Sequence, residues 1–242
     1  MRIFDGLPLK VRVSLGPATL LFYLLVATLS GPTSNSAATV TGDIFRYRQQ
    51  TGKEISEFLW TLKGDSEIRL TSESRDECHL TIMDPSLATR QWTLLKSGEA
   101  TKITVRRERN ALLLNGQFEG KPVERIIEID SAPWYQALSL SLRTLRDSGK
   151  KSLEFWTLRP DNLEAHKLRA VRKGIELLDV EGKQVKALRL EVSLTGLKAM
   201  LWSCSYWLRE SDGVFLLYRG PSGPPGWPET EVRLVGEGDS PL

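Results

Sequence analysis

The stretch "LWSCSYWLRESDGVFLLYRG", residues 201–220, decides the fold. Ser211-Asp212-Gly213 at its centre is turn chemistry, and both arms alternate with the two-residue period of a strand. A three-residue connection with Gly213 left-handed sets Glu210 opposite Val214, so even-numbered residues pair with even. One face then collects Trp202, Cys204, Tyr206, Leu208, Val214, Leu216 and Tyr218 without any charge. The other shows Ser203, Ser205, Trp207, Arg209, Phe215, Leu217 and Arg219. An apolar middle between polar ends predicts a face that something covers over part of its length. A two-residue loop would shift the register by one and mix the two sets.

The same period recurs outward from the hairpin. "DIFRYRQ", "SEFLWTLK", "EIRLTSE", "CHLTIM", "TRQWTLL", "TKITVRR", "NALLL" and "VERIIEI" read as strands of a first half. "SLEFWTLR", "LEAHKLRAV", "IELLDV", "KALRLEVSL", "AMLWSCSYWLR", "VFLLYRG" and "TEVRLVG" read as strands of a second. Turn residues separate them, and Asn115-Gly116 carries the strongest two-residue hairpin signal because both types tolerate positive φ. Between the halves, Trp134, Ala137, Leu138, Ser141, Leu142 and Leu145 fall at helical spacing. Ser131 offers an N-cap, Pro133 suits the first turn and Gly149 suits a left-handed C-terminal position, which predicts one amphipathic helix over about 132–147. The fold class is therefore mainly β: a strongly curved antiparallel sheet, open or half barrel, with one helix between two strand-rich halves.

Residues 1–38 read as a secretory signal and 39–242 as a single antiparallel β domain. Arg2, Lys10 and Arg12 precede an apolar core from Ala18 to Leu29, and small residues follow, with cleavage expected after Ser36 or Ala38. An uncleaved membrane anchor is the alternative, since no charge occurs between Arg12 and Asp43. Gly16-Pro17 and Gly31-Pro32 shorten the apolar run and favour cleavage, which places the mature chain in the periplasm or outside the cell.

The chain has 33 Lys+Arg against 30 Asp+Glu, and the segment from 39 onward is nearly balanced, which excludes the basic excess that nucleic-acid binding needs. Cys78 and Cys204 are the two cysteines; an oxidising compartment allows a disulfide, and their apolar strands equally suit buried thiols. Two histidines, His79 and His166, stand in no HExxH, CxxC or Gly-x-Ser-x-Gly context. No metal, cofactor or catalytic constellation is expected, and an enzyme has no support. Trp227, stiffened in "GPSGPPGWPET", either presents itself to a partner or folds back to plug the end of the sheet.

"APWYQALSLSLRTL", "LEFWTL" and "YWLRESDGVFLLYRG" together resemble a family of uncharacterised exported bacterial proteins with a meander, a helix and a second meander. That family is similar in architecture to the lipoprotein carriers LolA and LolB, whose curved open sheet holds acyl chains beneath a helical lid. The resemblance implies a fold and no catalytic residue. This chain lacks the lipid-attached Cys of the membrane-bound carriers, so a carrier role would be that of a soluble protein. The expected function is an exported binder of an apolar or lipid-like molecule, with Trp134, Leu138, Leu142, Trp207, Phe215 and Leu217 as candidate contacts. The alternative is a structural or interaction module with a filled core, whose partner is an envelope protein.

Overall fold

The computed structural model describes residues 43–64, 67–196, 201–221 and 227–238. The expected signal or anchor at 1–38 lies outside the described residues. None of the described helices is long and apolar enough to cross a membrane.

Among the described residues eight strands come first: β1 (Asp43–Thr51), β2 (Glu54–Gly64), β3 (Ile68–Glu73), β4 (Glu77–Met83), β5 (Thr89–Lys96), β6 (Thr101–Glu108), β7 (Ala111–Phe118) and β8 (Lys121–Glu128). Two short helical pieces follow, α1 (Leu138–Ser141) and α2 (Arg143–Asp147). Six strands complete the described residues: β9 (Ser152–Leu158), β10 (Ala165–Val180), β11 (Lys183–Leu194), β12 (Ser203–Arg209), β13 (Phe215–Pro221) and β14 (Glu229–Glu237). All fourteen form one antiparallel sheet in the order β8 to β1, then β14 to β9. The first and last strands meet in the middle, and the edges are β8 and β9, neighbours in sequence.

The sheet does not close through strand pairing. Its β9 edge rolls inside the other end. Phe155 on β9 packs in the main core, whereas Trp156 and Leu158 pack with Trp92, Leu94, Ile103 and Leu112 of β5–β7 in a second core. Alternate residues of β9 thus meet apolar partners on both faces, the geometry of a scroll. A strap at 129–137 stitches the seam. Trp156 N donates to Pro133 O and Tyr135 N to Trp156 O, both at 2.8 Å, and Thr89 N donates to Trp134 O at 2.8 Å.

That strap corrects the expected helix. Trp134 forms a bridge to Trp156 of β9, and the helix begins only at Leu138, with no side-chain cap at Ala137. The open sheet edge offers the strap backbone partners, and Trp134 becomes wholly buried in the second core. Together these outweigh helical spacing, and a residue before proline disfavours helix in any case. The end of the helix follows expectation, with Gly149 at φ +68°. Arg146 donates to Glu210 O and Ser211 O, and Ser141 Oγ to Leu87 O, so the helix corks one end of the scroll.

Asn115-Gly116 is not a turn. Gly116 sits inside β7, opposite Ile103 and Val123. A Cβ there would lie 2.1 Å from Lys102 O, so close backbone approach demands the glycine. The β7–β8 turn uses Glu119-Gly120 instead, both at positive φ.

The hairpin of 201–220 keeps its expected register from Ser205↔Arg219 to Trp207↔Leu217. A bulge then pairs Leu208 with Phe215, which carries Phe215 from the outer face to the inner one. The outer face is covered by neither helix nor strap. After a bulge before Gly174 (φ +146°), the distal part of β10 and β11 folds back over it. Glu176 accepts from Trp207 Nε1 at 2.8 Å, and Arg233 donates to Asp179 O at 3.0 Å. Leu178, Val180 and Val185 of this arm pack against the main core. Trp207 and Leu217 are greasy on the outside because a bent hairpin arm buries them.

Candidate functional site

The interior of the scroll is not filled. A cavity of about 700 Å³ remains, within the range of small-molecule sites. Its lining comes from β1–β5 and β9–β14, while β6–β8 serve only to seal β9. Ala137, Leu138 and Ser139 make the floor, at the corked end. Trp202, Pro221 and Trp227 stand at the opposite mouth, and Trp227 is 54% exposed.

One wall is aromatic. Tyr47 bridges Phe58 (5.4 Å) and Phe215 (5.2 Å) by ring centroids, and Phe215 continues to Tyr206 (5.9 Å) and on to Tyr218 (5.1 Å from Tyr206). Tyr47, buried behind this wall, donates its hydroxyl to Phe215 O, and Tyr218 donates its own to Pro221 O, while Phe58, Tyr206, Phe215 and Tyr218 line the cavity. Burial pushes the Tyr206 and Tyr218 hydroxyls well above the ordinary tyrosine value, so both are neutral.

The facing wall, from β3–β4 and β9–β10, is polar. Ser72 lies opposite His79, and Thr157 opposite His166. All four line the cavity, both histidines of the chain included. His79 is held at both ring nitrogens: Nδ1 accepts from Trp92 Nε1 at 3.2 Å, and Nε2 pairs with Glu77 Oε1. The indole N–H can only donate, which selects the Nε2–H tautomer. Burial opposes ionisation of Glu77, but the His79 hydrogen bond and Lys96 outweigh it and keep the carboxyl below its ordinary value. Ser72, His79 and Glu77 carry the residue types of a hydrolytic triad, yet no ring nitrogen of His79 is open to a serine.

At the mouth, Arg159 pairs with Asp161, and Lys96 sits 3.5 Å from Glu77 and 3.4 Å from Glu99. Burial works against the Asp161 carboxylate, but Arg159 more than offsets it and Lys96 adds to the effect. Among the described residues no group of three or more His, Cys, Asp or Glu side chains is placed to hold a metal ion.

Of the residues singled out in the sequence, Leu138, Phe215 and Trp227 line the cavity. Trp134 is buried in the second core and Leu142 in the main one, under the floor, while Trp207 and Leu217 face outward beneath the hairpin arm. Cys78 and Cys204 are both free thiols, not a disulfide. Five strands separate β4 from β12, and Cys78 points away from the face that carries Cys204. The residues that sequence reasoning missed are Phe58, Trp60, Tyr206, Tyr218 and the two histidines. Their shared signal is strand parity: each lies on the face that Tyr47 and Phe215 occupy.

No family model and no curated protein matches the chain. Solved structures do. A beta-barrel-like protein of a domain of unknown function, DUF1849, from Brucella abortus aligns at TM-score 0.56 and 9% identity, over 82% of this chain and 97% of that one. The hypothetical lipoprotein YmcC from Escherichia coli aligns at TM-score 0.37 and 11% identity, over 83% and 90%. A DUF1329 family protein from Desulfovibrio piger aligns at TM-score 0.24 and 11% identity, over 83% and 86%. At such identity the Brucella likeness is one of fold.

Proposed function

We propose that this chain is an exported, non-enzymatic binding protein that holds an apolar, lipid-like molecule inside the scroll. One observation carries the reading: a cavity of about 700 Å³ lies unfilled beside an aromatic wall, where a sheet built only for stability would pack side chains. The occupation of both His79 nitrogens supports binding over hydrolysis. Export rests on the charge and apolar pattern of residues 1–38.

Native mass spectrometry of protein purified from its own envelope tests the reading, together with titration by a fluorescent alkyl probe. The expected result is a co-purifying apolar molecule and a probe that Leu138→Trp, at the cavity floor, excludes without lowering the melting temperature. A ligand-free mass and no probe binding would overturn it. The second reading, an interaction module of the envelope, draws on the 54% exposure of Trp227. In that case Trp227→Ala abolishes capture of an envelope protein and leaves the melting temperature unchanged.

A further inference from the structure

The described charges around Arg159 and Lys96 at the mouth neutralise one another. Arg159 Nε donates to Asp161 Oδ1 at 2.9 Å, and a second contact joins the same two side chains. Lys96 is held between Glu77 and Glu99, and Glu77 is held in turn by His79. Arg159 and Asp161 are the charged side chains that line the cavity among the described residues, and each is the other's partner. Among the described lining residues, a ligand carboxylate or phosphate entering here meets no Lys or Arg free to pair with it, and an ammonium meets no free carboxylate. Either would surrender its hydration without compensation, and an unpaired charge out of water is far costlier than an unpaired hydroxyl.

What the polar wall does offer is a set of hydroxyls and one imidazole. Ser72, Thr81 and Thr157 present hydroxyls and His166 an imidazole, opposite the aromatic rings of Phe58, Tyr206 and Phe215. Gln136 is largely committed: its amide oxygen accepts from Trp134 Nε1 and Leu158 N, and its nitrogen donates to Leu158 O. Resting on the binding function proposed above, we infer that the ligand is an amphiphile with an uncharged, hydrogen-bonding head. The head, bearing hydroxyl or amide groups, sits against Ser72, Thr157 and His166. The apolar body lies along the aromatic wall.

Competition of a fluorescent alkyl probe by three amphiphiles of equal chain length tests this: a monoacylglycerol, the ionised fatty acid and the alkylammonium. The monoacylglycerol is expected to bind at least about tenfold more tightly than either ion, as uncompensated burial of charge requires. The double variant Ser72→Ala, Thr157→Val should remove most of that advantage. Breaking the mouth pair should redirect it. Asp161→Ala releases the Arg159 guanidinium and should favour the fatty acid, whereas Arg159→Ala releases the carboxylate and should favour the alkylammonium. Fatty acid or alkylammonium binding as tightly as the monoacylglycerol in the unaltered protein would overturn the inference while leaving the cavity's binding role standing. Failure of all three, with the probe itself unbound, would overturn both.

Discussion

Trp207 Nε1 donates to Glu176 Oε2 at 2.8 Å across a hairpin that has folded back on its own sheet. The Arg189 and Arg219 guanidinium groups stand 5.5 and 5.9 Å from the centre of the indole, so cations flank the ring while a carboxylate holds its N–H. Truncation by Trp207→Ala should cost about 3–5 kcal/mol, the range for a buried large aromatic. Glu176 is half exposed, so Glu176→Gln should cost on the order of 1 kcal/mol or less. Neither change touches the cavity. Urea unfolding together with probe titration checks this, and a loss of binding out of proportion to stability would mean that the outer face belongs to the site.

Gly220 and Cys204 define a close approach between β13 and β12. A Cβ on residue 220 would stand 2.4 Å from the Cβ of Cys204. Gly220→Ala should therefore destabilise by about 1–3 kcal/mol through overpacking. Because the clash is with Cβ and not sulfur, Cys204→Ala offers no relief in the double variant. Cys204→Gly does, and a double-mutant cycle should give a positive coupling only in the second case. Equal coupling in both would place the conflict at the thiol.

Most strands were legible in the sequence because period-two alternation follows directly from one buried face. Fifteen candidates became fourteen when "LEAHKLRAV" and "IELLDV" fused into β10 around the bulge that precedes Gly174. Bulges were not legible. The slip that carries Phe215 inward depends on how β12 and β13 fit their neighbours, not on turn chemistry at Gly213, which adopts its expected positive φ. Helical spacing at Trp134 failed for a similar reason: the β9 edge that recruits the strap exists only after the sheet has rolled. The site followed the same rule. Leu138 and Phe215 could be nominated as apolar residues near the helix and hairpin, but His79 and His166 enter the cavity from strands far apart in sequence. No spacing motif encodes that convergence.

The two cysteines should behave differently. Burial pushes the Cys204 thiol up to about 12, although Tyr218 pulls the other way, and Cys78 is raised less markedly, chiefly by partial burial. Two thiols should titrate in denaturant without reductant. In the native state Cys78 should react first, with Cys204 protected until the sheet opens. A count of zero in denaturant before reduction would show a disulfide and a different arrangement of β4 and β12.

Asp130 fixes the strap to the seam, and its charge gives the seam a pH dependence. Its carboxylate accepts from Lys167 Nζ at 2.5 Å, Trp156 Nε1 at 2.8 Å and Ala132 N at 2.9 Å. The Lys167 hydrogen bond contributes most, the Trp156 and Ala132 bonds next, and together they bring the carboxyl down to about 2. An unfolded aspartate titrates near 4, so the folded chain binds this proton less readily than the unfolded one. The stabilisation is therefore complete above about pH 4–5 and is lost as the pH falls towards 2. Asp130→Asn removes the charge at every pH. The melting temperature of the unaltered protein should exceed that of the variant at pH 6, and the gap should narrow from about pH 4 downward and vanish only below about pH 2. A gap that stayed constant across that interval would assign the difference to the neutral hydrogen bonds, and a gap that widened in acid would reverse the sign of the linkage.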